Sequence, residues 1–449
     1  MKYSLKPKYH FFPITGWLND PNGLIYYKNK YHMFYQFNPS NPEWGAMHWG
    51  HAISDDLFKW KHLPVALYPE KTFDDNDISG IFSGSAIEKD GNLFLMYTQF
   101  FDPKCYENHE KEQQCIAFSS NGIDFEKYSK NPVISTPPTK LFHDFRDPKV
   151  WWGEDSKYYC VLGSGEENIG KVLLYSSEDL KKWEFENTLI KMDPEEFEPI
   201  IECPDFFKLG NKWVLIFSAG FLTEGARKNY YVTGNFEKNK FFPEYYGELD
   251  LGNDIYASQT FLDEKGRRIL IGWVHTPERY NYTKEEGWAG IMSIPRKLSI
   301  NNGLLIQEPV EEINNFIENI EKPEIKNDTF SIKELENCFM LEIDNSNEKF
   351  EISLENSKDK IIFSISSRDL EITEIRNKKK EYRDFYHLES EIKNLRIFFD
   401  KSSFEVFINS GETVCTWRIY PHDNYSKLNF KDLPPEAIKI RKINNSLFD

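Results

Sequence analysis

Three acidic segments combine residue types that can do proton-transfer and nucleophilic chemistry. The first is Trp17-Leu-Asn19-Asp20-Pro-Asn-Gly23, where Asp before Pro, followed by Asn-Gly, forces a non-helical turn that can present a carboxylate. The same residues are standard turn formers, so the segment alone serves structure as readily as chemistry. The second is His143-Asp-Phe-Arg146-Asp147-Pro148, again with Asp before Pro. Neighbouring Arg and Asp are commonly a solvated pair. Yet this segment precedes Lys149-Val-Trp-Trp152 as Asp20 precedes Leu24-Ile-Tyr-Tyr27, so two repeats carry the same chemistry at the same place. The third is Ile200-Ile-Glu202-Cys203-Pro204-Asp205. Its apolar lead favours partial burial, which raises a carboxyl pKa and keeps it protonated, as a general acid requires. A structural Glu bonded to backbone amides fits that segment equally well.

Other candidates carry less. His48 and His51 are three apart on a strand or loop and would not face one metal, and Cys105 and Cys115 have no second thiol pair to complete a zinc set. The sequence has neither a GxxxxGK[ST] phosphate loop nor a GxSxG elbow. The expectation is chemistry without metal or cofactor.

A repeat must position these segments. Aromatic strands recur at Tyr31–Gln36, Asn92–Gln99, Lys157–Gly163, Lys212–Ser218 and Arg268–Trp273, and polar turns closing on an aromatic residue recur at Ser54–Trp60, Ser120–Phe125 and Ser177–Trp183. Five units of about 60 residues predict a five-bladed β-propeller over residues 1–300, with an irregular β-sandwich of accidental self-similarity as the alternative. The 11 Trp, 24 Tyr and 36 Phe, 16% of the chain, favour strands and also suit the apolar faces of sugars. Residues 308–321 place Val310, Ile313, Phe316, Ile317 and Ile320 at helical spacing, predicting an amphipathic linker helix within 301–324. Alternating segments beyond it, such as Ser403–Asn409, predict a β-sandwich over 325–449.

Composition bounds the partners. A net charge of −17 without a basic stripe argues against nucleic acid. No apolar run reaches the roughly 18–20 residues a membrane helix needs, and the N-terminus does not read as a secretory signal. Six scattered Cys without a CxxC pair suggest reduced thiols and a cytoplasmic setting.

With these motifs in order, the sequence resembles the β-fructofuranosidases of glycoside hydrolase family 32, a family of invertases, inulinases, levanases and sucrose-6-phosphate hydrolases. The resemblance rests on Asn19–Gly23, Arg146–Pro148 and Glu202–Pro204, supported by Gln36–Pro39, Trp44-Gly45, Trp49–His51, Phe82–Ala86, Tyr256–Gln259, Ile271–Trp273 and Ser293–Lys297. It implies a five-bladed propeller joined to a β-sandwich. It also implies Asp20 as nucleophile, Glu202 as acid/base and Asp147 as transition-state stabiliser. Trp17, Asn19, Gln36, Trp44, Phe82, Ser83, Arg146, Tyr256, Trp273 and Trp288 would line the sugar pocket. The implied activity is exo-acting, retaining hydrolysis of sucrose, extending to short fructo-oligosaccharides. Sucrose 6-phosphate hydrolysis is the near rival, and a non-catalytic sugar-binding propeller the rival from another class. The segment Phe100–His109 reads as a loop that could shape the rim beyond the fructose.

Overall fold

The computed structural model describes residues 3–69, 79–102, 110–220, 227–276, 279–319, 328–344 and 349–444. Five antiparallel sheets follow one another along the chain. Their innermost strands are Gly16–Tyr27, Ser79–Lys89, Phe142–Trp152, Glu202–Leu209 and Ile255–Leu262. Each of these touches the next, and the fifth returns to the first, which closes a five-bladed propeller around a channel. Trp288-Ala289 pairs in parallel with Gly16-Trp17, fastening the last blade's connection to the first blade.

The chain builds blades because its middle strands are apolar on both faces. Tyr158–Glu166 and Lys212–Gly220 are buried almost throughout, whereas the outermost Lys240–Glu248 is largely exposed. Stacking blade on blade covers both faces of a central strand, and the rim strand meets water on its outer side. Large rings fill the seams: Phe206 stacks on Trp213 at 4.8 Å and meets Trp151 edge-on between the third and fourth blades.

The five aromatic segments are the second strand of each blade. The strand before each of them, which holds the acidic motifs, is the innermost. The polar turns join third to fourth strands. Asp56 accepts the Phe58 and Lys59 N–H groups while Trp60 Nε1 donates to Leu57 O at 2.8 Å, and Asp179, Trp183 and Leu180 repeat this design.

The expected linker helix is absent over its described part. Leu304–Pro309 is the outer strand of the fifth blade, so the propeller runs past residue 300. A 3₁₀ turn, Glu311–Phe316, follows, and Ile317–Asn319 already pairs with 441–443 of the second domain. Val310, Ile313 and Phe316 are buried as their spacing suggests. However, Val310 supplies no side-chain cap, and sheet edges on both sides take the backbone bonds a short helix would need. Residues 320–327 lie outside the described ones.

The second domain is a sandwich of two six-stranded sheets around Phe339, Ile352, Phe363, Phe404 and Trp417. It docks on the propeller through buried charge. Arg296, fully buried, donates to Glu405 at 2.6 Å, Asp250 at 2.9 Å and Thr416 at 2.7 Å, while His10 bridges Asp400 and Glu405. No helix among the described residues is long and apolar enough to cross a membrane.

Candidate active site

All five innermost strands carry a bulge at the same height. In register terms, Asn19-Asp20 oppose Gln36, Asp147-Pro148 oppose Leu162, Cys203-Pro204 oppose Phe217, Ala257-Ser258 oppose Gly272, and Ser83 is an extra residue beside Phe82. A regular strand sends neighbouring side chains to opposite faces, and a bulge breaks that alternation. Consecutive residues can then face the channel together, as Asn19-Asp20, Phe82-Ser83, Arg146-Asp147 and Glu202-Cys203 do. The cost is strain: Asp147, Cys203 and Ala257 adopt positive φ of 62°, 50° and 51°. Pro148 and Pro204 sit in the unpaired stretches, where a missing N–H forfeits no ladder bond.

The result is a cavity of about 630 Å³ at one mouth of the channel. Asp20, Asp147 and Glu202 reach it from the first, third and fourth blades. Asp20 has one oxygen accepting from Asn19 Nδ2 at 3.0 Å and the other from Ser83 Oγ at 2.6 Å and Cys203 Sγ at 3.4 Å. Burial pushes its carboxyl pKa up, Ser83 and Asn19 pull it back, and the Glu202 charge adds to the rise. Asp147 accepts the Cys203 N–H at 2.8 Å and is 6% exposed. Burial, opposed by Arg146 and reinforced by the Asp20 and Glu202 charges, raises it to about 7. Glu202 is bonded by Tyr256 Oη at 2.7 Å and Arg146 at 3.2 Å, with 22% of its side chain exposed. Arg146 is fixed from behind by Glu112 at 2.8 Å and Asp144 at 2.7 Å.

Of the binding residues expected from sequence, Asn19, Gln36, Trp44, Phe82, Ser83, Arg146, Tyr256 and Trp273 line the cavity. Two do not. Trp17 lies behind the wall, donating from Nε1 to Asn19 Oδ1 at 2.8 Å and meeting Trp273 edge-on, so it acts through those residues. Trp288 has no exposed surface: its ring packs on Phe12 and beneath Arg418, and Nε1 donates to Glu286. It is a seam residue between the last and first blades, because its strand pairs with Gly16-Trp17 at the buried junction.

Sequence reasoning passed over Lys111, Glu112, Asp144, Cys203 and His275 and met Phe100 only as the start of the expected rim loop, although it ends the strand Asn92–Phe101; all six line the cavity. Asp144 and Cys203 stand inside motifs already singled out. Phe100 stacks on Phe82 at 4.4 Å and His275 on Trp273 at 3.5 Å, contacts with no local pattern to announce them. Of the expected rim loop, residues 103–109, Cys105 included, lie outside the described ones. Among the described residues, no group of three His, Cys, Asp or Glu is placed to hold a metal.

The chain matches the Glycosyl hydrolases family 32 N-terminal domain over residues 10–309 and the family 32 C-terminal domain over 306–434. It is 39% identical to an Escherichia coli sucrose-6-phosphate hydrolase, across 94% of this chain and 91% of that one. With an E. coli raffinose invertase the identity is 35%, across 96% and 93%. The fold superposes on a Bombyx mori GH32 β-fructofuranosidase variant in complex with sucrose with a TM-score of 0.85, at 30% identity, covering 98% of this chain and 94% of that one.

Proposed function

The chain belongs to glycoside hydrolase family 32, and from that premise we propose that it is a retaining, exo-acting β-fructofuranosidase that hydrolyses sucrose, extending to short fructo-oligosaccharides. The observation that carries this reading is the convergence of three carboxylates with different partners. Asp20 takes hydrogen bonds from three neutral donors and no cation, so its charge is held in place without being neutralised. It is the nucleophile. Glu202 is the acid/base: 22% of its side chain is exposed, so a leaving sugar and an arriving water can reach it. Asp20 attacks the anomeric carbon of fructose as Glu202 gives its proton to the glycosidic oxygen. Glucose leaves, and a fructosyl ester on Asp20 remains. Glu202 then takes a proton from water, which breaks the ester and frees fructose. Asp147 and Arg146 hold fructose hydroxyls, with bonds that tighten as positive charge develops on the ring.

Exo action is supported by the filled channel beneath the acids. Lys149 Nζ lies 2.9 Å from Asp205 and 3.1 Å from Gln259, and Gln259 donates to Cys203 O, so a chain cannot thread through. A cytoplasmic setting is supported by Cys160, Cys203, Cys338 and Cys415, which are buried thiols held in no disulfide. A second reading, preference for sucrose 6-phosphate, is favoured by Lys111 on the cavity wall, half-exposed and 3.1 Å from Asp144. The comparison of kcat/KM for sucrose and sucrose 6-phosphate decides between them. The test of the main reading is the first anomer released, followed by NMR. β-Fructofuranose is expected, with Asp20 and Glu202 carboxyls about 5–5.5 Å apart. α-Fructose first, or no fructose from either substrate, would overturn it.

A further inference from the structure

The N-terminal segment hangs on the sandwich through a pair of buried carboxylates. Asp400 takes the Lys8 N–H at 2.6 Å on one oxygen and the Tyr9 and His10 N–H groups at 2.8 and 2.9 Å on the other. Glu405 takes the Ile294 N–H at 2.7 Å and, on its second oxygen, Arg296 Nε and Nη2 at 3.1 and 2.6 Å. Between the two carboxylates lies the His10 ring, fully buried, with Nδ1 2.9 Å from Asp400 and Nε2 3.0 Å from Glu405.

These partners fix the proton count. Every other group bonded to Asp400 and Glu405 is a donor, so both carboxylates act as acceptors. A neutral imidazole has one N–H and one bare nitrogen, and here the bare one would turn its lone pair on a carboxylate oxygen at hydrogen-bond distance. Both nitrogens must donate, which makes the ring an imidazolium. Around it stand Asp400 and Glu405 of the sandwich, Arg296 of the fifth blade with Asp250 behind it, and the Tyr9 ring at 4.7 Å. Lys8, Lys401, Cys338 and Arg418 complete the titratable groups nearby. Among the described residues, none of the side chains of these four bonds either carboxylate; Lys401 lies 3.7 Å from Glu336, and Arg418 donates to Ser402. Burial works against the imidazolium, but the bonds and charges of Asp400 and Glu405 outweigh it and lift the His10 pKa above its ordinary 6.5.

We propose that His10 is a proton-operated latch that ties the N-terminal segment to the sandwich, shut while both ring nitrogens carry protons and released when one proton is lost. Release leaves Asp400 with backbone donors alone and Glu405 with Arg296 as its one cation, and it sets a lone pair against one of them. The segment leads directly to the seam that closes the propeller. Phe11 O accepts the Met292 N–H at 2.8 Å, Phe12 packs on Trp288 at 5.0 Å, and Trp288-Ala289 pairs with Gly16-Trp17. Because the folded chain holds this proton more tightly than the unfolded one, the latch is at full strength below pH 6.5 and weakens as pH rises through the higher folded value.

The experiment follows the full chain from about pH 6 to about pH 9 by amide hydrogen exchange with mass spectrometry, corrected for base catalysis. Protection of a peptide spanning residues 5–12, which holds the amides bonded to Asp400, should fall at least tenfold across that range. Protection of Tyr158–Glu166 in the third blade should hold. In His10→Gln, which has no second proton to lose, the 5–12 peptide should be less protected at pH 6 and show no such fall. A second measurement needs no variant to fold: NMR of the parent with 15N-labelled histidine should show a ring with both nitrogens protonated at about pH 7.5, where an ordinary imidazole is largely neutral. The proposal is overturned by any of three results: no doubly protonated ring at pH 7.5; protection of 5–12 that tracks the third blade at every pH; or the same alkaline fall in His10→Gln as in the parent.

Discussion

Replacing Asp147 by Asn should stabilise the enzyme increasingly as pH rises above about 4 while removing most of its turnover. Loss of water is the main cause that lifts this carboxyl from 3.8 to about 7, with the Asp20 and Glu202 charges adding to it against the pull of Arg146 and the Cys203 N–H. A carboxyl whose value is higher in the folded chain than in the unfolded one binds more protons when folded. Stability is therefore fully present below about pH 3.8, where both states are neutral, and is lost as pH rises from there through 7. At about 1.4 kcal/mol per unit, ionisation of Asp147 opposes folding by about 4 kcal/mol at pH 8, about 2 kcal/mol at pH 5 and almost nothing at pH 3. Asn keeps the shape and an oxygen for the Cys203 N–H, but no charge. Urea denaturation at pH 8 and pH 5 should show the variant more stable at both, with the margin at pH 5 about half that at pH 8. On sucrose, kcat should fall about 100-fold or more with a smaller change in KM, because the lost interaction is strongest in the transition state. A variant no more stable than the parent at pH 8, or a margin independent of pH, would refute the reasoning from burial and like charge. A change confined to KM would reduce Asp147 to a binding group.

Glu202→Ala should slow sucrose far more than an aryl fructoside with a good leaving group, and azide should restore part of the rate; equal losses without rescue would deny Glu202 the acid/base role. Glu112→Gln weakens the grip on Arg146, made by an ion pair at 2.8 Å, and should lower kcat/KM on sucrose about 10-fold. Unchanged steady-state kinetics would mean that Asp144 alone suffices. Glu405→Ala leaves Arg296 buried with only Asp250 as counter-charge and should cost about 3–5 kcal/mol in urea denaturation. A loss under 1 kcal/mol would mean that water enters the domain interface.

How much of this was legible in the sequence depends on how local each signal is. The acidic motifs were visible because a bulge needs particular residues in a row: Asp before Pro, or Glu-Cys-Pro, is at once a backbone instruction and a pair of functional side chains. The blade count was legible because Ser54–Trp60 and Ser177–Trp183 fold by themselves into the same turn, with the Asp carboxylate closing onto the next backbone amides. The linker helix was misread since side-chain spacing reports which residues are buried, and Val310, Ile313 and Phe316 are, but not which neighbour takes the backbone bonds.

By itself, then, the sequence determined the all-β architecture and the repeat and singled out the three acidic segments that line one cavity, all properties of a few adjacent residues. Only the tertiary structure decided which side chains share a space. Trp17 and Trp288 read as alike as pocket residues, yet one backs the site and the other is sealed in the seam where the last blade's connection meets the first. Glu112 and His275 have no motif, and they enter the site because closing the ring brings Glu112 onto Arg146, 34 positions away, and lays His275 on Trp273. The environments that set each carboxyl's proton affinity are of the same kind. The Glu202 charge lifts Asp20 and Asp147 only because three blades bring the acids into one desolvated cavity, a distance that no spacing along the chain encodes.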